Sequence, residues 1–433
     1  MEPVLIGLLS ILALFLLMML GVPIAYTLGF SALVAGLLVF GGGTLAKLGS
    51  TPFHMLFNLA WTPLPLFVLM GSIIAETAMA RHLFAAAVKW LSRVPGGLIA
   101  SAVVGEAVMA ATLGTSAACI MVVGKMAVPE FERHGYNRSL GLGALLAGGV
   151  LGPLIPPSAV MIIYSVLTNT SLGHLFIAGF IPGLLLASML SALAVGICLA
   201  RPQLGPPAGG FSWRERFSSL SRVWPVVAVV VIILGSIYLG VATPTESAGV
   251  GCVAVLLIAV FLFGLRWEGI KRALLDAATI NGMIMFIMIG AMFFTYVIGS
   301  ANIAKYLLTF VESSAMSPWL VIIFMNLVYL VTGFILDPLT ITFLTIPIFF
   351  PIVVSLGFDP VWFGIVFVVN TQIGLITPPM AIDLFAVRTV FDIPTGDIIR
   401  GVTPFLLVEL IFLAIIIAFP VLSLWLPSMM VGR

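Results

Sequence analysis

The stretch from Ser139 to Ala200 contains no Asp, Glu, Lys or Arg, yet LGPLIPPS at 151–158 places two adjacent prolines inside it. A charge-free run of this length has room for more than one bilayer-spanning helix of about 20 residues. Proline removes a backbone donor and clashes with the preceding turn, so an ordinary membrane helix should avoid such a pair. A second pair follows in ITPP at 376–379. The chain must therefore fold around two helices that break within the bilayer.

The composition indicates an integral membrane protein. Of the 433 residues, 62% are hydrophobic and 8% are charged, whereas soluble domains carry about 25% charged residues. The apolar runs are continuous rather than alternating, which predicts an all-α polytopic protein and excludes a β-barrel. Three cysteines offer no pair or ligand spacing, and no basic run suggests binding to nucleic acid.

We predict about ten transmembrane helices, two of them broken, at 3–22, 23–43, 60–79, 139–170, 174–200, 223–241, 246–265, 278–299, 361–391 and 400–426. Two further apolar stretches, 97–128 and 316–354, have turn-forming clusters near their middles, which predicts re-entrant helical hairpins. The segments 80–94 and 266–277 mix charged and apolar residues, so we expect helices in the membrane interface.

The two halves of the chain repeat. Adding 222 maps Gly152 to Gly374, and six other glycines and prolines find the same residue type in the second half. With five spans in each repeat, the second repeat must be inverted. If the N-terminus lies outside, fifteen Lys and Arg residues lie in the cytoplasm and three (Lys47, Lys305, Arg433) outside, in accord with the positive-inside rule. Inverted repeats with broken helices are typical of secondary transporters.

This organisation gives five segments. They are the scaffold helices of repeat 1 at 1–79; an arm, hairpin, broken helix and span at 80–200; a cytoplasmic linker at 201–222; the scaffold helices of repeat 2 at 223–299; and the second hairpin, broken helix and last span at 300–433.

A broken helix frees carbonyls before the break and presents amides after it, which suit a cation and an anion respectively. We therefore expect two sodium sites where the hairpin tips meet the breaks, formed by Gly114, Thr115, Ser116, Gly152 and Ser158 in one and by Asp337, Thr340, Gly374 and Thr377 in the other. Substrate-binding candidates are Ser158, Asn370 and Thr115. The alternatives are a kink that only shapes packing and, for Asp337, a helix cap before Pro338. Glu106, in the first hairpin arm, is a weaker candidate that could instead snorkel or pair at the scaffold face.

The stretch ATPTESAGVG, residues 242–251, predicts a capping box in which Thr243 caps a helix and Glu246 reaches back. Together with GTSAA, LGPLIPPS, LDPLTITFLTIPI, NTQIGLITPP and the terminal LSLWLP, it resembles the large membrane subunit of TRAP (tripartite ATP-independent periplasmic) transporters along essentially the whole chain. The resemblance implies sodium-driven uptake of an organic acid (a C4-dicarboxylate, sialic acid or a sugar acid) by an elevator movement. It also implies a bacterial inner-membrane location, a small membrane subunit and a periplasmic substrate-binding protein.

Two positions depart from the usual pattern of this family. The first hairpin usually carries an Asp where this chain has Cys119, and the second usually has Gly after its Asp, where this chain has Pro338. Two other functions remain open at this point. One is a self-sufficient sodium- or proton-coupled carboxylate carrier, and the other is an intramembrane enzyme, against which stands the lack of HExxH and GxGD motifs.

Overall fold

The computed structural model describes residues 3–314, 316–378, 381–391 and 393–430. Pro379, from the second proline pair, and Arg433, from the basic residues assigned to the outside, lie beyond the described residues. Each regular element of the described chain is a helix. Residues 59–61 and 202–204 form single 3₁₀ turns.

The first half forms eleven helices: α1 (Pro3–Met19), α2 (Ile24–Phe40), α3 (Gly43–Leu56), α4 (Pro63–Ala75), α5 (Met79–Leu91), α6 (Gly97–Leu113), α7 (Ser116–Arg133), α8 (Arg138–Gly149), α9 (Leu151–Leu154), α10 (Ala159–Thr168) and α11 (Leu172–Ala200). The linker contains α12 (Trp213–Leu220). The second half forms α13 (Trp224–Tyr238), α14 (Pro244–Phe261), α15 (Trp267–Ser300), α16 (Ile303–Ser313), α17 (Pro318–Gly333), α18 (Pro338–Ser355), α19 (Pro360–Ile376), α20 (Ile382–Phe391), α21 (Thr395–Ala418) and α22 (Val421–Ser428).

Several of these helices can cross a bilayer. By length and composition, six helical segments of the described chain qualify, or eight if each of two bent pairs forms one span. One bent pair joins α3 to the segment that contains α4, and the other joins α12 to α13. Several shorter apolar helices, α2 among them, fall below the length required of a span. The multi-pass helical class is thus confirmed, and the number ten stays a prediction.

The internal duplication extends to helix bounds. Adding 222 to the bounds of α7, 116 and 133, gives 338 and 355, which are the bounds of α18. The same shift takes α10 from 159–168 to 381–390, within one residue of α20. It takes α5 from 79–91 to 301–313, which overlaps α16. The arm of the first repeat therefore corresponds to α16, whereas 266–277 is not a separate interfacial helix but opens the long, continuous α15.

Helix starts follow from local chemistry. Proline occupies the first position of α14, α17, α18 and α19, where the helix has no use for the missing N–H. Thr243 and Glu246 form the capping box at the start of α14: each side chain accepts a hydrogen bond from the other residue's backbone N–H. Asp337 and Asp359 cap α18 and α19 in the same Asp-Pro arrangement. In the linker, hydrogen bonds from Ser212 to Glu215 hold the pKa of that carboxyl below its ordinary value.

The helices pack as two groups. In the first, α1 lies on α2, α15 lies on α2 and α4, and α14 lies on α4. In the second, the hairpins and broken helices of both halves interlock, since α8 packs on α21, α7 on α20 and α11 on α19. Where α8 crosses α21, a Cβ added to Gly143 would collide with the backbone of Gly401. Contacts of α4 with α6 and of α15 with α18 join the groups.

Candidate transport site

The first hairpin turns at the predicted tip. Gly114 is the C-cap of α6, and its φ of +67° lies in the left-handed region that glycine adopts without steric cost. Thr115 is extended and is the N-cap of α7. Gly114 is buried, as an irregular segment at membrane depth requires.

This tip contacts the first break. Residues 155–158 separate α9 from α10. A Cβ added to Gly114 would lie 2.7 Å from the carbonyl oxygen of Pro157, and one added to Gly152 would lie 2.7 Å from the carbonyl oxygen of Thr115. Ser158 caps α10, its Oγ accepting from the N–H of Met161 at 3.3 Å. The residues of the first predicted sodium set thus lie together where the tip meets the break.

The second tip contacts the second broken helix. A Cβ added to Gly374 in α19 would lie 2.5 Å from the Cα of Gly333, the last residue of α17. Thr377 follows the end of α19 and donates its hydroxyl to the carbonyl of Ile373 at 2.6 Å. Backbone carbonyls of α19 and the start of the second break therefore stand directly beside the second hairpin.

Asp337 caps the second hairpin arm. Its Oδ1 accepts from the N–H groups of Leu339 at 3.0 Å and Thr340 at 3.2 Å. Its Oδ2 accepts from the hydroxyl of Thr340 at 2.5 Å. The capping interpretation of Asp337 is therefore present in the structure. It leaves one lone pair on Oδ2, so the cap does not preclude an ion ligand.

A cavity of about 240 Å³ joins the two tips. Its polar wall residues are Thr115, Ser116, Asp337, Gln372 and Asp383, and its apolar wall comes from α10, α15, α18, α19 and α20. The position between two re-entrant tips and two broken helices is where secondary transporters bind their cargo. This cavity is the candidate transport site.

Two of the three substrate-binding candidates lie outside the cavity wall. Thr115 lines it, whereas the hydroxyl of Ser158 is buried in the cap of α10. The Asn370 side chain is buried against α17, where its Nδ2 donates to Oδ1 of Asn326 at 2.6 Å and to the Asn326 carbonyl at 2.9 Å. Asn370 therefore joins α19 to the hairpin arm in this conformation.

Sequence analysis missed Asp383 and Gln372. Asp383 in α20 is buried and accepts a short hydrogen bond from the hydroxyl of Ser116. An ionisable residue close behind a membrane break is a functional candidate by default, and that signal was present at Asp383. Gln372 is fully buried and lines the cavity. Its signal was weaker, because one neutral amide in an apolar helix does not reveal which face it occupies.

Glu106 does not snorkel. It is fully buried, and its Oε2 occupies the place where a Cβ on Gly148 would stand, so the missing side chain of Gly148 makes room for the carboxylate. Ser116 Oγ lies 2.7 Å from the corresponding point on Gly149. The carboxylate and the first hairpin's hydroxyl thus rest on adjacent glycines of α8. The Ser116 hydroxyl also donates to the carboxylate of Asp383, and position 119 carries Cys.

Sequence comparison assigns this architecture to a family. The family described as "Tripartite ATP-independent periplasmic transporter, DctM component" matches residues 11–422. The chain belongs to the DctM family of TRAP transporters. It is a large permease subunit, a transporter component and not an enzyme.

Relatives with several printed substrates resemble this TRAP permease. The C4-dicarboxylate large permease DctM of Pseudomonas aeruginosa is 37% identical over 93% of this chain and 94% of its own length. The ectoine large permease TeaC of Halomonas elongata is 30% identical over 95% and 96%. The sialic acid large permease SiaM of Vibrio cholerae is 29% identical over 95% and 96%.

The fold is shared more widely than the sequence. The crystal structure of the YdaH transporter of Alcanivorax borkumensis superposes with a TM-score of 0.58 at 15% identity, and the match covers 99% of each chain. At this identity the likeness extends to the arrangement of helices alone.

Proposed function

We propose that this TRAP permease carries out the membrane step of sodium-driven uptake of a small organic acid. Its relatives' names include a C4-dicarboxylate, sialic acid and ectoine as cargo. The observation that carries the proposal is the cavity lined by both hairpin tips, with Thr115 and Asp337 in its wall. Each tip also stands against the carbonyls of a broken helix.

Sodium fits the oxygen atoms gathered at the tips. Ser116 and Thr340 offer hydroxyls, and the Pro157 and Thr115 carbonyls lie at the contact of the first tip with the first break. Hard cations prefer such oxygen ligands. We assign one sodium ion to Gly114, Thr115, Ser116, Gly152 and Ser158, and a second to Asp337, Thr340, Gly374 and Thr377. Binding of these ions draws each tip onto its break and thereby shapes the cavity for the acid.

The tripartite family name implies partners for this permease. In the proposed arrangement, a small membrane subunit packs against the scaffold helices within 1–79 and 223–299, and a periplasmic binding protein delivers the acid to the cavity from outside. The group of hairpins and broken helices then moves against the scaffold across a bacterial inner membrane. The exposed large apolar side chains of α1, α2, α13 and α14 suit contact with lipid or with such a subunit.

Reconstitution tests this function. Proteoliposomes containing the permease and its small subunit should take up organic acid only when sodium is higher outside and the loaded binding protein is present outside. The permease alone should transport negligibly, because the receptor and the subunit are both missing. Uptake that followed a pH gradient and ignored sodium would contradict sodium coupling. Saturable uptake by the permease alone would favour a self-sufficient carrier.

A further inference from the structure

Gln372 carries a buried amide without hydrogen-bond partners among the described residues. It is fully buried in α19, and neither its Nε2 nor its Oε1 has a hydrogen-bond partner among the residues that the structure describes. Asn370, two residues earlier, donates its Nδ2 hydrogen bonds to Asn326. Buried polar groups in folded proteins are nearly always paired, and an exception calls for an explanation. Gln372 belongs to the wall of the cavity between the hairpin tips, and a solute in that cavity would supply the missing partners.

The charge of the cavity restricts that solute. Two carboxylates, Asp337 and Asp383, belong to the described wall, and no Lys, Arg or His does. A neutral amide is the polar group that α19 contributes. An amide can donate from Nε2 to a carboxylate and accept at Oε1 from a hydroxyl or N–H group. It therefore recognises a donor next to an acceptor, whereas a second carboxylate on the solute would face the wall's own negative charge.

We infer that Gln372 binds the transported solute directly and selects a monocarboxylate with an adjacent hydroxyl or nitrogen donor over a dicarboxylate. The inference rests on the proposed transport function of the same cavity. The Nε2–H group holds one carboxylate oxygen, and Oε1 accepts from the neighbouring donor. A second donor on the solute can approach Asp383, whose Oδ2 is already held by Ser116.

Solute binding is measured directly on the purified permease with its small subunit, in lipid nanodiscs and sodium chloride. Because no binding protein is present, any selectivity belongs to the permease. The probes are gluconate, ectoine and succinate, measured by titration calorimetry. We expect gluconate or ectoine to bind at least about tenfold more tightly than succinate. A tenfold difference corresponds to about 1.4 kcal/mol, about the net contribution of one hydrogen bond to a charged group.

Two variants test the residue itself. Gln372→Leu should lose at least about tenfold in affinity, and Gln372→Asn, whose amide is one methylene shorter, should retain part of it. Gln372→Leu should also raise the melting temperature of the ligand-free protein, because it removes an unpaired buried amide. Thr371→Val is the matched control: Thr371 is buried beside Gln372 in α19, bonds only within its helix and lies outside the cavity wall. It should bind as the wild type does.

The measured melting temperatures and affinities decide whether Gln372 binds the solute. A Gln372→Leu protein that melts lower than the wild type would assign Gln372 a structural role and overturn the inference. Tightest binding of succinate, or binding of none of the three probes, would overturn it as well. In either case the proposed function would still stand if the assembled complex took up acid along a sodium gradient, so the two failures are distinguishable.

Discussion

Glycines at the second tip let two backbones touch. Gly333 ends α17 and Gly374 lies in α19, and a Cβ on either would come within 2.8 Å of the other's Cα. Real Cβ atoms do not approach backbone so closely, so the contact depends on both glycines. It holds the second hairpin against the broken helix whose carbonyls we assign to sodium.

Gly374→Ala should therefore destabilise the permease. The added methyl must push α17 from α19, and overpacking of this kind costs about 1–3 kcal/mol. Gly282→Ala is the matched control, since Gly282 is exposed within α15 and a Cβ there would meet nothing within 4 Å. Alanine at that position should stabilise the helix by about 0.5–1 kcal/mol. The measurement is the thermal unfolding of both purified variants in the same detergent.

Equal melting temperatures for the two alanine variants would contradict the close contact. The experiment needs no knowledge of the cargo, so its result bears on the fold of the second tip alone. A sodium titration of the same samples adds a second observable, because separation of tip and break should also weaken the stabilisation by sodium.

The same residues show where sequence reasoning succeeds and fails. The sequence predicts a role for Gly374 because the internal repeat maps it onto Gly152. Asp383 was not found, because its partner Ser116 lies 267 residues away and no local pattern joins them. The pairing of Glu106 with the space at Gly148 has the same character. Local chemistry predicts the tips and breaks, but contacts between residues distant in the sequence are visible only in the folded chain.

At the scale of helices, α18 and α19 start alike and differ in surroundings. Asp337 and Asp359 each cap a helix whose first residue is proline, and each accepts two backbone N–H bonds. Asp337 lines the cavity, whereas Asp359 is exposed. Substitutions of Asp337 and Asp359 therefore distinguish helix capping from ion binding, because both residues cap a helix and only Asp337 lines the cavity.

Asp337→Asn should preserve the cap of α18 and weaken the binding of sodium. Asn caps about as well as Asp, so the melting temperature should change little, but the carboxylate charge on the ion is gone. Unit charges about 4 Å apart at an effective dielectric of about 20 interact by about 4 kcal/mol. We therefore expect the sodium concentration for half-maximal uptake to rise by about tenfold or more.

Asp359→Asn is the control and should match the wild type in both melting temperature and sodium dependence. Asp337→Ala should lose about 1 kcal/mol of stability in addition, because no cap remains. Wild-type sodium dependence in Asp337→Asn would reduce Asp337 to a cap, and the second sodium site would then need another charged or carbonyl ligand.

Helix boundaries also mark the limits of prediction. The hairpins predicted at 97–128 and 316–354 correspond to α6–α7 and α17–α18, because turn-forming residues between apolar runs are local signals. The separation of 266–277 from the following span was wrong, since charged residues along one face do not end a helix and α15 runs on to Ser300. A continuous helix of this length joins the interface to the membrane interior.

For the whole molecule, the repeats impose an orientation. The tip and break of each half lie together, and adding 222 reproduces α18 from α7. If the second repeat is inverted, the linker and the C-terminal helix face opposite sides of the membrane. The fifteen-to-three division of basic residues predicts that the linker lies in the cytoplasm and the end of α22 in the periplasm.

Cysteine labelling tests that orientation. The three native cysteines are buried and free, so they can be replaced to give a background without reactive thiols. Ser218→Cys in α12 and Ser428→Cys in α22 then place single exposed thiols on the two predicted sides, and neither change removes a helix cap. In intact cells, an impermeant maleimide should label position 428 and spare position 218. After lysis both should react, which controls for accessibility. Because a parallel duplication would put the two thiols on one side, equal labelling in intact cells would exclude the inverted arrangement and with it a site shared symmetrically by the two hairpins.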